Sequence, residues 1–167
     1  MEASTENAVV VGIDGSEHAD AALRYALAEA ARRWTRVVAV VAWGPWDIFG
    51  GYSAREDPGV VEHRLREQAD AHIRQVHEKT GVPDVPLELA LRVGGAADVL
   101  VDLARPAALL VVGHRGHGRV RSMIGSVGLR CVLRAPCPVT VVPGVDGTDR
   151  HPGTVLITSA RAARRSW

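Results

Sequence analysis

Short runs of consecutive apolar, mostly β-branched residues, each followed by a longer stretch at helical spacing, constrain this chain more than any other feature. Ala8-Val9-Val10-Val11-Gly12-Ile13 and Val37-Val38-Ala39-Val40-Val41-Ala42-Trp43 carry no charged side chain. A strand wetted on one face alternates polar with apolar residues. A run without alternation is covered on both faces, as in a parallel sheet between two helical layers. Ala108-Leu109-Leu110-Val111-Val112, ending at Gly113, and Pro138-Val139-Thr140-Val141-Val142 read the same way. Leu87, Leu89 and Leu91 alternate with Glu88, Ala90 and Arg92, which predicts a strand exposed on one side.

The segments between the runs have helical periodicity. Ala19, Ala22, Leu23, Ala26, Leu27 and Ala30 share one face, with Ser16 placed as N-cap. Val61, Leu65, Ala69, Ile73 and Val76 mark a second helix, stopped by Gly81 and Pro83. Gly44 to Pro58 reads as a loop. Val99, Leu100, Leu103 and Ala104 give a short third helix before Arg105-Pro106, and a fourth runs from about Gly125 to Arg134. Five strands joined by helical crossovers imply right-handed βαβ units. The fold class is therefore α/β, a doubly wound five-stranded parallel sheet with helices on both faces. Residues 144–167 fall outside this pattern. Gly144, Gly147, Pro152 and Gly153 read as linker, Thr154-Val155-Leu156-Ile157 as a short extra strand, and the end is Arg-rich. A C-terminal tail, mobile or covering a sheet edge, is expected there.

At 167 residues the length suits one domain, here 7–143, with a core that needs no metal or disulfide staple. Twenty basic residues against 19 acidic ones give a net charge of +1. The basic excess of a nucleic-acid module is absent, so no nucleic acid is expected as partner. The acidic start Met1-Glu2-Ala3-Ser4-Thr5-Glu6 lacks signal-peptide order, and no apolar run approaches the ~20 residues of a bilayer span. A cytoplasmic location with no membrane contact is expected. Cys131 and Cys137 have neither metal nor redox spacing and read as core.

Chemistry concentrates in Val111-Val112-Gly113-His114-Arg115-Gly116-His117-Gly118, with Gly125-Ser126 opening a helix. Glycines after a buried strand let the backbone turn sharply and approach a ligand. A helix N-terminus offers free N–H groups and a dipole that favours phosphate. The segment is no P-loop, since no Lys precedes Ser126, and GxGxxG is absent. The plain alternative is a glycine-rich turn capping a helix. Asp14 closes the first strand and is equally suited to a ribose hydroxyl and to an Asx turn with Gly15 and Ser16. His114 and His117 suit phosphate contact but lack a third metal ligand, so no metal site is expected. Trp43, Trp46, Phe49 and Tyr52 read as a lid beside a ligand or as closure of their loop onto the core.

On these residues the chain resembles the universal stress proteins. The likeness rests on the strand ending in Asp14-Gly15-Ser16, the Gly-x-x-Gly … Gly-Ser segment, and the closing Ala135-Pro136-Cys137-Pro138-Val139-Thr140-Val141-Val142. It runs from about Val9 to Pro143 and implies the fold of that family and of the adenine nucleotide α hydrolases, with strand order 3-2-1-4-5. It also implies an ATP site, with Mg²⁺. Gly113 and Gly116 would line the triphosphate, and Gly125 and Ser126 would hold phosphate oxygens. Asp14 would face ribose or adenine, and Ala42 would present backbone to the adenine edge. Gly15, Gly118 and Val127 complete the set.

Two departures stand out. The ATP-binding branch has nine residues between the second and third glycines, whereas His117 to Ile124 makes eight. Ala108 stands where the family usually has Asp. The implied function is an adenine-nucleotide-binding stress-response regulator. No general base can be assigned, so at most slow ATP hydrolysis is expected. The alternatives are a non-nucleotide interaction module, which the shorter loop favours, and a cyclic AMP binder. The uncharged last strand, Pro138 to Val142, is a template for pairing with another chain. A homodimer through it is expected, unless residues 154–157 fold back over that edge.

Overall fold

The structure, a computed structural model, describes residues 4–44, 57–82, 84–114, 125–143 and 155–157. In chain order the elements are β1 (Val9–Gly12), α1 (Glu17–Arg33), β2 (Val37–Trp43), α2 (Pro58–Glu78), β3 (Leu87–Val93), α3 (Ala96–Leu103), β4 (Leu109–Gly113), α4 (Ser126–Arg134), β5 (Val139–Val142) and β6 (Val155–Ile157). The sheet order is β3-β2-β1-β4-β5-β6. The first five strands are parallel, in the expected order 3-2-1-4-5, and β6 joins antiparallel.

The unbroken apolar runs are buried on both faces. Val9, Val11 and Val111 pack with Leu23, Ala26, Leu27 and Ala30 of α1. Val10, Val38, Leu110 and Val112 face the other way, against Leu100, Val101 and Cys131 of α3 and α4. Leu23 and Leu27 are fully buried, and each such side chain contributes about 1.5–3 kcal/mol of transfer free energy. Cys131 and Cys137 lie in the same layer, and burial pushes both thiols up to about 11.

β3 differs from its alternating reading. Ala90 is buried on the face assigned to solvent, in the layer that α3 covers, while Glu88 and Val93 are exposed near the strand's two ends. Pro58, assigned to a loop, is the first residue of α2. Its fixed φ suits that position, and Asp57 caps the helix by accepting from the Gly59 N–H at 2.8 Å.

At the far edge, β6 pairs Val139 with Ile157, Thr140 with Leu156 and Val141 with Val155. The outer backbone groups of β5, read from sequence as a template for a second chain, are thus occupied within the chain. A β5–β5 contact would require β6 to be displaced.

Helix α1 ends in an unusual way. Trp34 takes the left-handed conformation (φ 53) that glycine normally fills, and the Thr35 N–H donates back to the Ala30 carbonyl at 3.0 Å. The Trp34 side chain is 96% exposed, so no packing offsets the backbone strain. Trp34→Gly is expected to raise the urea midpoint, stabilising the protein by about 1 kcal/mol. An unchanged or lower midpoint would show that the side chain has a stabilising contact.

Candidate functional site at the carboxyl ends of β1 and β4

After β1 the chain makes one more ladder bond, from the Ile13 N–H to the Val40 carbonyl at 2.8 Å, and then turns. Asp14 Oδ1 accepts from the Ser16 N–H at 3.0 Å and from the Ser16 hydroxyl at 2.6 Å. Ser16 Oγ in turn accepts from the Ala19 N–H at 3.2 Å, capping α1. Gly15, at φ +78, has no neighbour within 4 Å of a Cβ position. Its need for glycine is conformational, not steric. Of the two roles open to Asp14, the Asx turn is thus formed.

At the end of β4 the crowding is of another kind. A Cβ on Gly113 would lie 2.8 Å from both the carbonyl carbon and the oxygen of His18. One on Gly12 would lie 3.0 Å from Leu100 Cδ1. The two central strands therefore end in glycines because α1 and α3 cross them closely. His18 is the residue that sequence reasoning missed. No motif points to it, and only the helix–strand approach reveals it.

Beyond Gly113, the His114 N–H donates to the Val142 carbonyl at 2.7 Å, and its carbonyl accepts from the Gly125 N–H at 2.8 Å. The two ends of the glycine segment are thereby joined directly. Residues 115–124 lie outside the described residues. With them lie Gly116 and Gly118, His117, and Arg115, Arg119 and Arg121. Trp46, Phe49 and Tyr52 lie outside as well. At the start of α4, Gly125 supplies no side-chain cap, and the first turn holds no acidic residue. The first intrahelical bond is Leu129 N–H to the Gly125 carbonyl at 2.9 Å. The N–H groups of Ser126, Val127 and Gly128 therefore precede any intrahelical acceptor, at the positive end of the helix dipole.

Ala42 is placed by strand alternation. The Val40 carbonyl faces β1, whereas the Trp43 carbonyl accepts from the Gly94 N–H on the β3 side. Ala42 shares the parity of Val40, so its N–H and C=O face the β1 side, past the point where β1 ends at Gly12. Trp43 is half-buried.

β1 and β4 are neighbours, with Val11 opposite Val111. From β1 the chain runs outward to β2 and β3 on one side, then returns to β4 and β5 on the other. The order reverses between these two strands, the position where open α/β sheets take ligands. Ala42 and Gly113 lie near the carboxyl ends of β2 and β4, Asp14 and Gly15 in the turn after β1, and Gly125, Ser126 and Val127 at the start of α4. Among the described residues no group of three His, Cys, Asp or Glu side chains could hold a metal. Among them, too, no helix is long and apolar enough to cross a membrane.

A doubly wound sheet whose strand order reverses between β1 and β4, with glycines ending both strands, defines an open-sheet α/β domain. The chain belongs to the universal stress protein family, whose sequence model matches residues 7–143. A universal stress protein of Mycobacterium tuberculosis is 30% identical over 151 residues, covering 86% of this chain and 50% of that protein. The chain thus spans about half the length of this mycobacterial relative. One from Thermus aquaticus is 34% identical over 137 residues, covering 80% of this chain and 96% of its own. Among solved structures, a family member from Burkholderia pseudomallei superposes with TM-score 0.59 at 27% identity, covering 85% of this chain and 99% of its own. A universal stress protein crystallised in complex with cAMP superposes with TM-score 0.57 at 26% identity, covering 84% and 99%.

Proposed function

We propose that this protein binds an adenine nucleotide, ATP with Mg²⁺, in the crevice between β1 and β4, and acts as a stress-response regulator whose occupancy biases a partner contact. The observation that carries this reading is the meeting of two features at one switch point. One is an uncapped helix start with acid-free first-turn donors at Ser126, Val127 and Gly128. The other is the backbone of Ala42, whose N–H and C=O face the β1 side at the point where β1 ends. The first suits phosphate, and the second suits the hydrogen-bonding edge of a base. Asp14, fixed by Ser16, stands between them for the ribose. Mg²⁺ would be held mainly by the phosphates. The cAMP complex of a 26%-identical relative supports an adenine nucleotide as the ligand class and favours cyclic AMP as the second reading.

Titration calorimetry with ATP, ADP and cyclic AMP tests this. Heat with ATP and Mg²⁺ is expected, and its loss by at least about tenfold in Gly125→Asp, because a carboxylate at the N-cap competes for the same donors and repels phosphate. Tighter binding of cyclic AMP would select the second reading. No heat with any of the three would leave the interaction-module reading. A homodimer belongs to the same proposal. Since β6 occupies the outer side of β5, the surface for it has to be sought elsewhere.

A further inference from the structure

We propose that the outward face of α4 is a docking surface for an amphipathic helix of another protein, one that carries carboxylates beside an apolar row. The inference rests on two rows of side chains on α4 and on their pairing with α3. It stands whether or not the crevice takes a nucleotide.

The inward side of α4 is used up by the sheet. Gly128 and Cys131 are buried there, and so is Ala135 just past the helix end. At about 100° per residue, Leu129 and Leu133 fall on the opposite side, and a spacing of four sets one above the other. Leu129 is 43% exposed and Leu133 68%. A lone exposed leucine is ordinary. Two in register on the outward side of one helix make a short apolar seam, the kind that a second helix fills.

Beside this row runs another. Arg130 and Arg134 are also four apart, and both reach Asp98 on α3. Arg130 Nη2 donates to Asp98 Oδ1 at 3.2 Å, and Arg134 Nη1 donates to the same oxygen. Arg134 foremost, with Arg130, holds the Asp98 carboxyl below the usual carboxylate range. The shared carboxylate orders the arginine row before any partner arrives, which lowers the cost of binding. It does not neutralise the row. Along this α3–α4 edge the guanidiniums of Arg105, Arg130 and Arg134 meet two carboxylates, Asp98 and Asp102. One positive charge is left over, next to the leucines.

That combination selects the occupant. A helix with apolar residues at i and i+4 can lie on Leu129 and Leu133, and acidic residues along one flank of it then fall on Arg130 and Arg134. A basic helix would meet like charge. A bilayer surface needs a broader apolar face and a stronger cationic field than two leucines and one excess charge supply.

Fluorescence anisotropy on the full chain without nucleotide tests this. The probe is a labelled synthetic helix with leucines at i, i+3 and i+4 spacing and glutamates along one flank. Saturable binding below millimolar concentration is expected, weakened by about tenfold or more in Leu133→Ala and in Arg134→Glu. Leu133→Met should bind like the parent, because it keeps the apolar volume. The same probe with lysine for glutamate should prefer Arg134→Glu to the parent. Both positions are exposed, so circular dichroism should show the fold retained in every variant. Absence of binding by the glutamate probe overturns the proposal. So does binding indifferent to Leu133→Ala, or binding that ignores the exchange of charge. A different occupant would overturn it too, shown by flotation with phosphatidylglycerol vesicles or by self-association in sedimentation velocity, either one lost in Leu133→Ala.

Discussion

Gly113→Ala is expected to destabilise the protein by about 1–3 kcal/mol with no ligand present, as read from the urea midpoint. The cause is the 2.8 Å approach of the added methyl to the His18 backbone. Backbone cannot rotate aside as a side-chain tip can, so α1 must move off β4 or the end of β4 must bend. Both belong to the buried layer that includes Leu23, Leu27 and Val111. Gly15→Ala is the instructive comparison. There φ is +78 and the space is open, so a smaller cost of about 1 kcal/mol arises from conformation alone. If Gly113 served only a ligand, its substitution would leave the unliganded fold unchanged. An unaltered midpoint would therefore refute the packing role.

Alkaline pH is expected to weaken the fold through Cys131 and Cys137. Burial raises both thiols from an ordinary value of 9.0 to about 11. Below pH 9 the folded and unfolded chains both keep their thiols protonated, and the full stability is present. Between about 9 and 11 the unfolded chain releases these protons while the folded chain holds them, so unfolding is favoured as pH rises. The loss approaches on the order of 2 kcal/mol per thiol. Urea midpoints measured from pH 8 to 11 should fall for the parent and fall less steeply for the Cys131→Ala, Cys137→Ala double variant. The variant starts lower, because each substitution leaves a small cavity. Parallel curves would show that neither thiol drives the alkaline loss. At neutral pH the same burial should make both thiols slow to react with a disulfide reagent in the native state.

The sheet was legible in the sequence because unbroken apolar runs have one good environment, and the helices because their apolar spacing has one period. The strand order followed from the resemblance carried by Asp14-Gly15-Ser16 and the glycine segment. What stayed hidden depended on contacts between distant residues. Gly113 reads as a ligand glycine in its motif, yet His18, far away in sequence, explains it without a ligand. Ala90 sits between a leucine and a leucine with charges beyond, and only the position of α3 decides that it is buried. For β6, the short apolar run at 154–157 left covering the edge and staying apart equally open. Propensity alone cannot say whether three residues will find a partner after a long linker. Asp14 satisfied both of its readings at the level of sequence, and the hydroxyl of Ser16 made the turn visible.

The single bond from the Gly125 N–H to the His114 carbonyl has a consequence for how this family member can change over time. It joins the two ends of the glycine segment at their bases, and the His114 N–H anchors the same point to β5. What lies between can then gain or lose residues without shifting the start of α4 relative to the sheet. The entropy of closing such a hoop varies only slowly with its length, by about 0.6 kcal/mol for each doubling. The missing residue between Gly116 and Gly125 is a small perturbation on that scale. Sequence can therefore diverge between these positions while the anchor formed by His114, Gly125 and Val142 remains as it is.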